Sequence, residues 1–173
     1  RRLTAEEIRD TLLTVSGELD LTPGEGHPFP PEATWTFTQH TPFAADYDTL
    51  KRSVYVMTKR NKRHPFFTLF DGADPNASTP VRDQTTVPTQ ALYFMNNEFV
   101  FARASALADR IGWAGSTTAE RLKFAYRELY GRTPDAVELQ KASTYLAANP
   151  GGREQWAGLL RAMMASNEFL YVD

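Results

Sequence analysis

Asn97-Glu-Phe-Val-Phe-Ala-Arg-Ala-Ser-Ala-Leu-Ala-Asp-Arg-Ile-Gly112 places Val100, Ala104, Leu107 and Ile111 at helical spacing, so one face of the stretch is apolar. Asn97 stands where an N-cap is needed and Gly112 where a helix stops, which predicts one helix between them. The same grammar runs to the C-terminus. Thr117-Thr-Ala-Glu120 is a capping box opening a helix that buries Leu122, Ala125, Tyr126 and Leu129 before Gly131. Thr133 as cap and Pro134 in the first turn start the next, with Leu139, Ala142, Tyr145 and Leu146 inward until Asn149-Pro-Gly-Gly152 breaks it. Trp156, Leu159, Leu160 and Met163 line the last. These aromatic and methionine stripes read as core rather than as a cofactor box. Short connections between the helices predict antiparallel neighbours.

Working toward the N-terminus, Pro88 and Thr89 open a helix with Thr89 as cap, and Gln90 to Met95 is apolar nearly all round, as in a buried central helix. Thr4-Ala-Glu-Glu7 is another capping box, and Leu3, Ile8, Leu12 and Val15 predict an amphipathic helix over residues 4–16, ended at Gly17. Arg9 and Asp10 are assigned to its polar side as solvated or paired charges. Gly24 to Pro31 is too rich in proline and glycine for regular structure. Trp35-Thr-Phe-Thr38 and Ser53-Val-Tyr-Val-Met-Thr58 alternate as short strands do and are expected to pair. The expected fold is therefore mainly α. An antiparallel helical subdomain at 98–173 supports a helix and a loop-rich motif region at 1–97, with a small two-stranded sheet, all in a single domain over 1–173.

Composition narrows the function. The chain has 173 residues, 42% hydrophobic and 23% charged, which is long and apolar enough for a real core and excludes compositional disorder. Its net charge of −2 argues against general attraction to nucleic acid or an anionic membrane. No apolar run reaches the roughly 20 residues of a membrane helix. With no cysteine there is no disulfide, zinc–thiolate site or thioether haem attachment within the chain. Arg1-Arg2 at the start, with no charged-then-apolar leader, reads as a cut piece of something longer.

Polar groups concentrate between Arg52 and Asn97. Lys51, Arg52, Lys59, Arg60, Lys62 and Arg63 carry no acid among them, whereas Asp71, Asp74 and Asp83 follow in a Gly/Pro/Asn loop. Half-buried charges persist only when paired, so Arg52, Arg60 and Arg82 are expected to meet the three aspartates at one spot. A cleft there would use Asn61, Asn76, Gln90, Asn96 and Asn97 as neutral hydrogen-bond partners, and Tyr55 and Phe66 as stacking platforms for a sugar. Asp71, Asp74 and Asp83 are the candidate catalytic groups, since two carboxylates about 5 to 9 Å apart can hydrolyse a glycoside. The hydrolase, phosphate-loop and metalloprotease motifs are missing, so the residues leave catalysis open. Asp71 to Asn76 fails the pattern of a calcium loop, and His27, His40 and His64 lack zinc-ligand spacing, so no metal is expected.

Arg52-Ser-Val-Tyr55, Lys59-Arg-Asn61, Phe70-Asp71 with Asp74-Pro-Asn76, Thr85-Thr-Val-Pro-Thr-Gln-Ala-Leu92 and Asn96-Asn97 together resemble the PSD family, a planctomycete-type domain of unknown function. Arg1 to Asp10 and Ser166 to Asp173 extend the resemblance over nearly the whole chain. It implies the C-terminal part of a domain that follows cytochrome c-like domains in large secreted proteins. From it come four expectations: an extracytoplasmic location, c-type haem elsewhere in the parent protein, no cofactor in this chain, and docking to upstream domains of the same polypeptide. The leading functional expectation is an interaction or ligand-binding module. The alternative is a polysaccharide-acting enzyme or glycan-binding domain using the Asp/Arg/Asn cluster, with neither nucleic acid nor a membrane span as a partner.

Overall fold

The Thr4 hydroxyl accepts from the Glu7 N–H while the Glu7 carboxylate accepts from the Thr4 N–H at 2.7 Å, and this reciprocal pair starts α1 (Ala5–Ser16). Gly17, at φ 77°, closes it in the left-handed conformation that glycine adopts without a steric penalty. The computed structural model describes residues 1–24, 26–35, 41–78, 80–148 and 151–172, apart from the side chains of Thr41 and Phe43. After α1 come α2 (Thr41–Ala44), α3 (Pro65–Leu69), α4 (Pro88–Asn96), α5 (Glu98–Trp113), α6 (Thr118–Tyr130), α7 (Ala136–Ala148), α8 (Arg153–Met164) and α9 (Asn167–Leu170). The protein is thus mostly helical, and no sheet is found among the described residues.

The α5 stripe is the spine. Val100, Ala104, Leu107 and Ile111 are all buried, and α5 packs mainly on α8, with α1 against it as well. Ile8 and Leu12 from α1, Phe94 from α4, Ala125 from α6 and Leu160 and Met164 from α8 complete one cluster, so residues from both 1–97 and 98–173 share a core. Each such large side chain, fully buried, contributes about 1.5–3 kcal/mol. Phe66 and Phe70 dock α3 onto α4 through edge-to-face contacts, 5.5 Å from Phe66 to Tyr93 and 5.7 Å from Phe70 to Phe94. The chain ends pair as well: Arg2 and Tyr171 form an antiparallel bridge, with the Leu3 N–H donating to the Leu170 carbonyl.

Several boundaries differ from expectation. Ser53–Tyr55 is a 3₁₀ turn rather than a strand, because Asp10 on α1 captures the Ser53 N–H and hydroxyl at 2.7 and 2.6 Å and winds the segment locally. Of its expected partner strand at 35–38, Trp35 closes a 3₁₀ turn over Glu32–Thr34 and residues 36–38 lie outside the described residues, as do His40, the Asn149-Pro150 break and Asp173. The cap of α4 is Val87, not Thr89: Pro88 takes the first turn, where its missing N–H is harmless, and the Gln90 side chain reaches back to the Val87 N–H. Nor is α4 buried all round, since only Gln90 and Phe94 are, while Leu92 and Met95 face outward. Gly112 does not stop α5, which runs through Trp113. Asp135 starts α7 in place of Thr133 by exchanging hydrogen bonds with Glu138, and Tyr145 on that helix is exposed.

Candidate functional site

The expected meeting of Arg52, Arg60 and Arg82 with Asp71, Asp74 and Asp83 occurs only in part: Asp71, Arg82 and Asp83 line one small hollow, but among the described residues no ion pair joins the three arginines to the three aspartates. Acids and bases on and before α1 take those partners instead. Asp10 faces Arg52 at 3.7 Å, Glu6 accepts from Arg82 at 2.7 Å, and buried Arg2 reaches Asp71 at 3.4 Å. Asp71 also accepts from the Thr85 N–H and hydroxyl, both at 2.8 Å, while the Arg2 guanidinium donates to the Thr85 carbonyl. These bonds hold Asp71 at φ 62°, a left-handed conformation that aspartate tolerates better than most side chains. Asp71 is therefore the knot that ties the 72–87 loop to the N-terminal segment.

The other candidates are placed singly. Asp74 caps its own turn by accepting from the Asn76 N–H and lies 3.8 Å from Arg63, and the Asn76 amide donates to the Arg60 carbonyl. Asp83, Arg60 and Asn61 are exposed. The hollow shared by Arg2, Asp71, Arg82 and Asp83 holds about 20 Å³, room for one water and not for a sugar. Tyr55 lies against the backbone of Gly24, where an added Cβ would sit 2.7 Å from its ring. Gln90 is buried and donates to the Leu69 carbonyl, tying α4 to α3, and Asn96 donates back to the Leu92 carbonyl of its own helix. The basic run is also spent on folding. Lys59 and Lys62 donate to the carbonyls of Ala45 and Ala44, Arg63 donates to that of Gly72, and Lys51 pairs with Asp20 at 2.9 Å.

A much larger cleft of about 700 Å³ opens between α1, the 46–50 segment, α3 and the α4–α5 junction. Of the candidates named from sequence, Asn97 and the stacking candidate Phe66 line it, and the Asn97 side chain caps α5 by accepting from the Phe99 N–H at 2.9 Å. Its other walls come from residues that the pattern did not propose as ligand contacts: Arg9, Asp46, Asp48, His64, Tyr93 and Arg103 among them. Arg9 is buried, not solvated. It donates to the carbonyls of Lys51 and Thr49 and to the Ser53 hydroxyl, drawing the 49–53 segment onto α1. Arg103 pairs with Glu18 at 2.6 Å. Both guanidinium groups stack over the Phe99 ring, 5.7 and 4.9 Å from its centroid.

Burial pushes the Arg9 guanidinium below its ordinary pKa, against the opposing pull of Asp10 and Asp48. Burial likewise raises the Tyr93 phenol to about 12, with Asp48 adding to the effect. Asp46 is held below the usual carboxylate range by its hydrogen bond from Lys62. His64 Nε2 lies 3.4 Å from Asp48, and its buried Nδ1 has no hydrogen-bond partner among the described residues. One signal for this site was present in the sequence. Arg9 stands three residues before Leu12, and Arg103 three after Val100 and four before Leu107, spacings that put each beside the buried stripe of its helix rather than opposite it.

Among the described residues, no group of three or more His, Cys, Asp or Glu side chains is placed to hold a metal ion, and no helix is long and apolar enough to cross a membrane. No curated protein and no solved structure matches the chain. Residues 1–146 do match the family model PSD1, described as a protein of unknown function (DUF1553), and the chain belongs to that family.

Proposed function

We propose that this chain is a ligand-binding module of a larger extracytoplasmic, cytochrome-associated protein, and that it takes its ligand in the Arg9–Arg103 cleft. The observation that carries this reading is a cavity of about 700 Å³ in which two buried guanidinium groups and the rings of Tyr93, Phe99 and His64 converge. That combination of size, apolar wall and few polar groups is what small-molecule sites have in common. The extracytoplasmic, multidomain setting rests on the family resemblance alone. A panel of amino acids, short peptides, organic acids and neutral oligosaccharides, followed by thermal unfolding and amide chemical shifts, tests the cleft. A binder that moves the resonances of His64, Asn97 and Phe99 supports it, and one that moves only residues elsewhere sinks it.

A second reading, docking of upstream domains, is favoured by one feature: α4 turns Leu92 and Met95 to solvent, 52% and 58% exposed, on a helix whose other face is core. Joining the upstream region to the chain should then raise the melting temperature and protect the α4 amides from exchange. The alternative glycan reading moves with the site. A saccharide would stack on the rings of the cleft and offer hydroxyls to Asp48, Asn97 and Glu98, rather than to the Asp71 knot.

A further inference from the structure

Charge in the cleft is sorted by depth. At the floor, Arg9 and Arg103 have side chains 5% and 9% exposed and share the Phe99 ring. Arg103 has Glu18 as a counter-ion, but Arg9 is held mainly by neutral carbonyl and hydroxyl oxygens. Its nearest carboxylate, Asp10, stands 3.8 Å away and already accepts the Ser53 N–H and hydroxyl. A buried cation with neutral partners leaves positive potential at its site. At the mouth the sign reverses. Asp48 is 92% exposed, Glu98 is exposed, and only Asp46 is matched by lysines, Lys62 at 2.8 Å and Lys59 at 3.8 Å. Between floor and mouth the wall is apolar, formed by Leu50, Pro65, Phe66 and Tyr93.

We propose that the cleft takes a zwitterion of the amino-acid or short-peptide type. The carboxylate sits on the floor by Arg9 and Arg103, the ammonium at the mouth by Asp48 and Glu98, and an apolar side chain lies along Phe66 and Tyr93. This rests on the cleft being the binding site. A simple anion would be repelled by the carboxylates at the mouth, and a simple cation would face the floor arginines. A zwitterion satisfies both ends. Room for roughly twenty water molecules exceeds one amino acid and suits a di- or tripeptide.

Calorimetry with L-alanyl-L-phenylalanine, its N-acetyl derivative, its C-terminal amide, free L-phenylalanine and maltotriose tests the assignment. The dipeptide should bind, and capping either end should weaken binding roughly tenfold or more, as loss of one charged hydrogen bond does. Binding of free phenylalanine as tight as that of the dipeptide identifies the amino acid as the source, and weaker binding identifies the peptide. Asp48→Asn, an exposed change that leaves the core alone, should weaken the dipeptide and not its N-acetyl form. Equal binding of the N-acetyl form, or binding of maltotriose but not of the dipeptide, overturns the zwitterion while leaving the cleft in place. Dipeptide binding whose chemical-shift changes miss His64, Asn97 and Phe99 overturns the cleft itself.

Discussion

Replacing Asp71 separates a structural carboxylate from a catalytic one. In Asp71→Ala the Thr85 N–H and hydroxyl lose a charged acceptor that both approach to 2.8 Å, and Arg2 loses its carboxylate partner. Hydrogen bonds to a charged group contribute about 1.5–3 kcal/mol each, and the lower figure applies because Thr85 is exposed, giving about 3 kcal/mol for the pair. Both side chains carry a Cβ at φ 62°, so the left-handed backbone costs alanine and aspartate alike and adds nothing to the difference. The total of about 3 kcal/mol converts, at about 2–4 °C per kcal/mol for a domain of this size, to a melting temperature lower by about 6–12 °C. Asp71→Gly loses the same bonds but accepts the left-handed backbone, so it should melt above the alanine variant. Asp71→Asn keeps one acceptor oxygen and should fall between wild type and alanine. Circular dichroism melts of the four proteins read this directly. An alanine variant melting within about 2 °C of wild type, less than about 1 kcal/mol, would refute the knot, and a glycine variant no better than alanine would refute its backbone part.

Two glycines should respond in opposite directions. Gly131→Ala, at φ 69° with nothing within 4 Å of the added Cβ, should destabilise by about 1 kcal/mol through backbone strain alone. Gly112→Ala, inside α5 and equally uncrowded, should stabilise by about the same amount in urea titrations. Arg103→Met should destabilise the fold by about 3–5 kcal/mol, because Glu18 loses its partner at a buried site, and Glu18→Gln in the same protein should recover part of the loss. Acid should loosen the α6–α7 corner. Arg132 holds Glu138 at about pKa 2 against an ordinary value of 4.5, so the stabilisation is fully present above about pH 5 and lost as pH falls toward 2. Glu138→Gln should flatten the fall of melting temperature over that window, and an unchanged pH profile would dismiss the pair as a source of stability.

Helices announced themselves wherever local chemistry was sufficient. Capping boxes at Thr4 and Thr117, the Asn97 cap, the left-handed closures at Gly17 and Gly131 and the stripes of α5 and α6 depend on residues within a few positions of each other. The family motifs were legible too, and they mark the Asp71–Thr85 and Gln90–Leu69 ties that fold the loop region. What the sequence alone did not reveal is which charge meets which. An ion pair depends on through-space approach, and Arg2, Glu6 and Asp10, some sixty or more residues from Asp71, Arg82 and roughly forty from Arg52, reach those partners only once α1 lies across the loops. The apparent strand at Ser53 yielded to the same long-range capture. The cleft likewise exists only because α1, the 46–50 segment, α3 and α5 converge around Phe99. By itself the sequence determined the longer helices and, in α1, α5 and α6, their inward faces, since those follow from bonds and side-chain spacing along the chain. The tertiary structure alone decided the partners of the charges and the position of the cleft, because burial and electrostatic contact are set by distance in space.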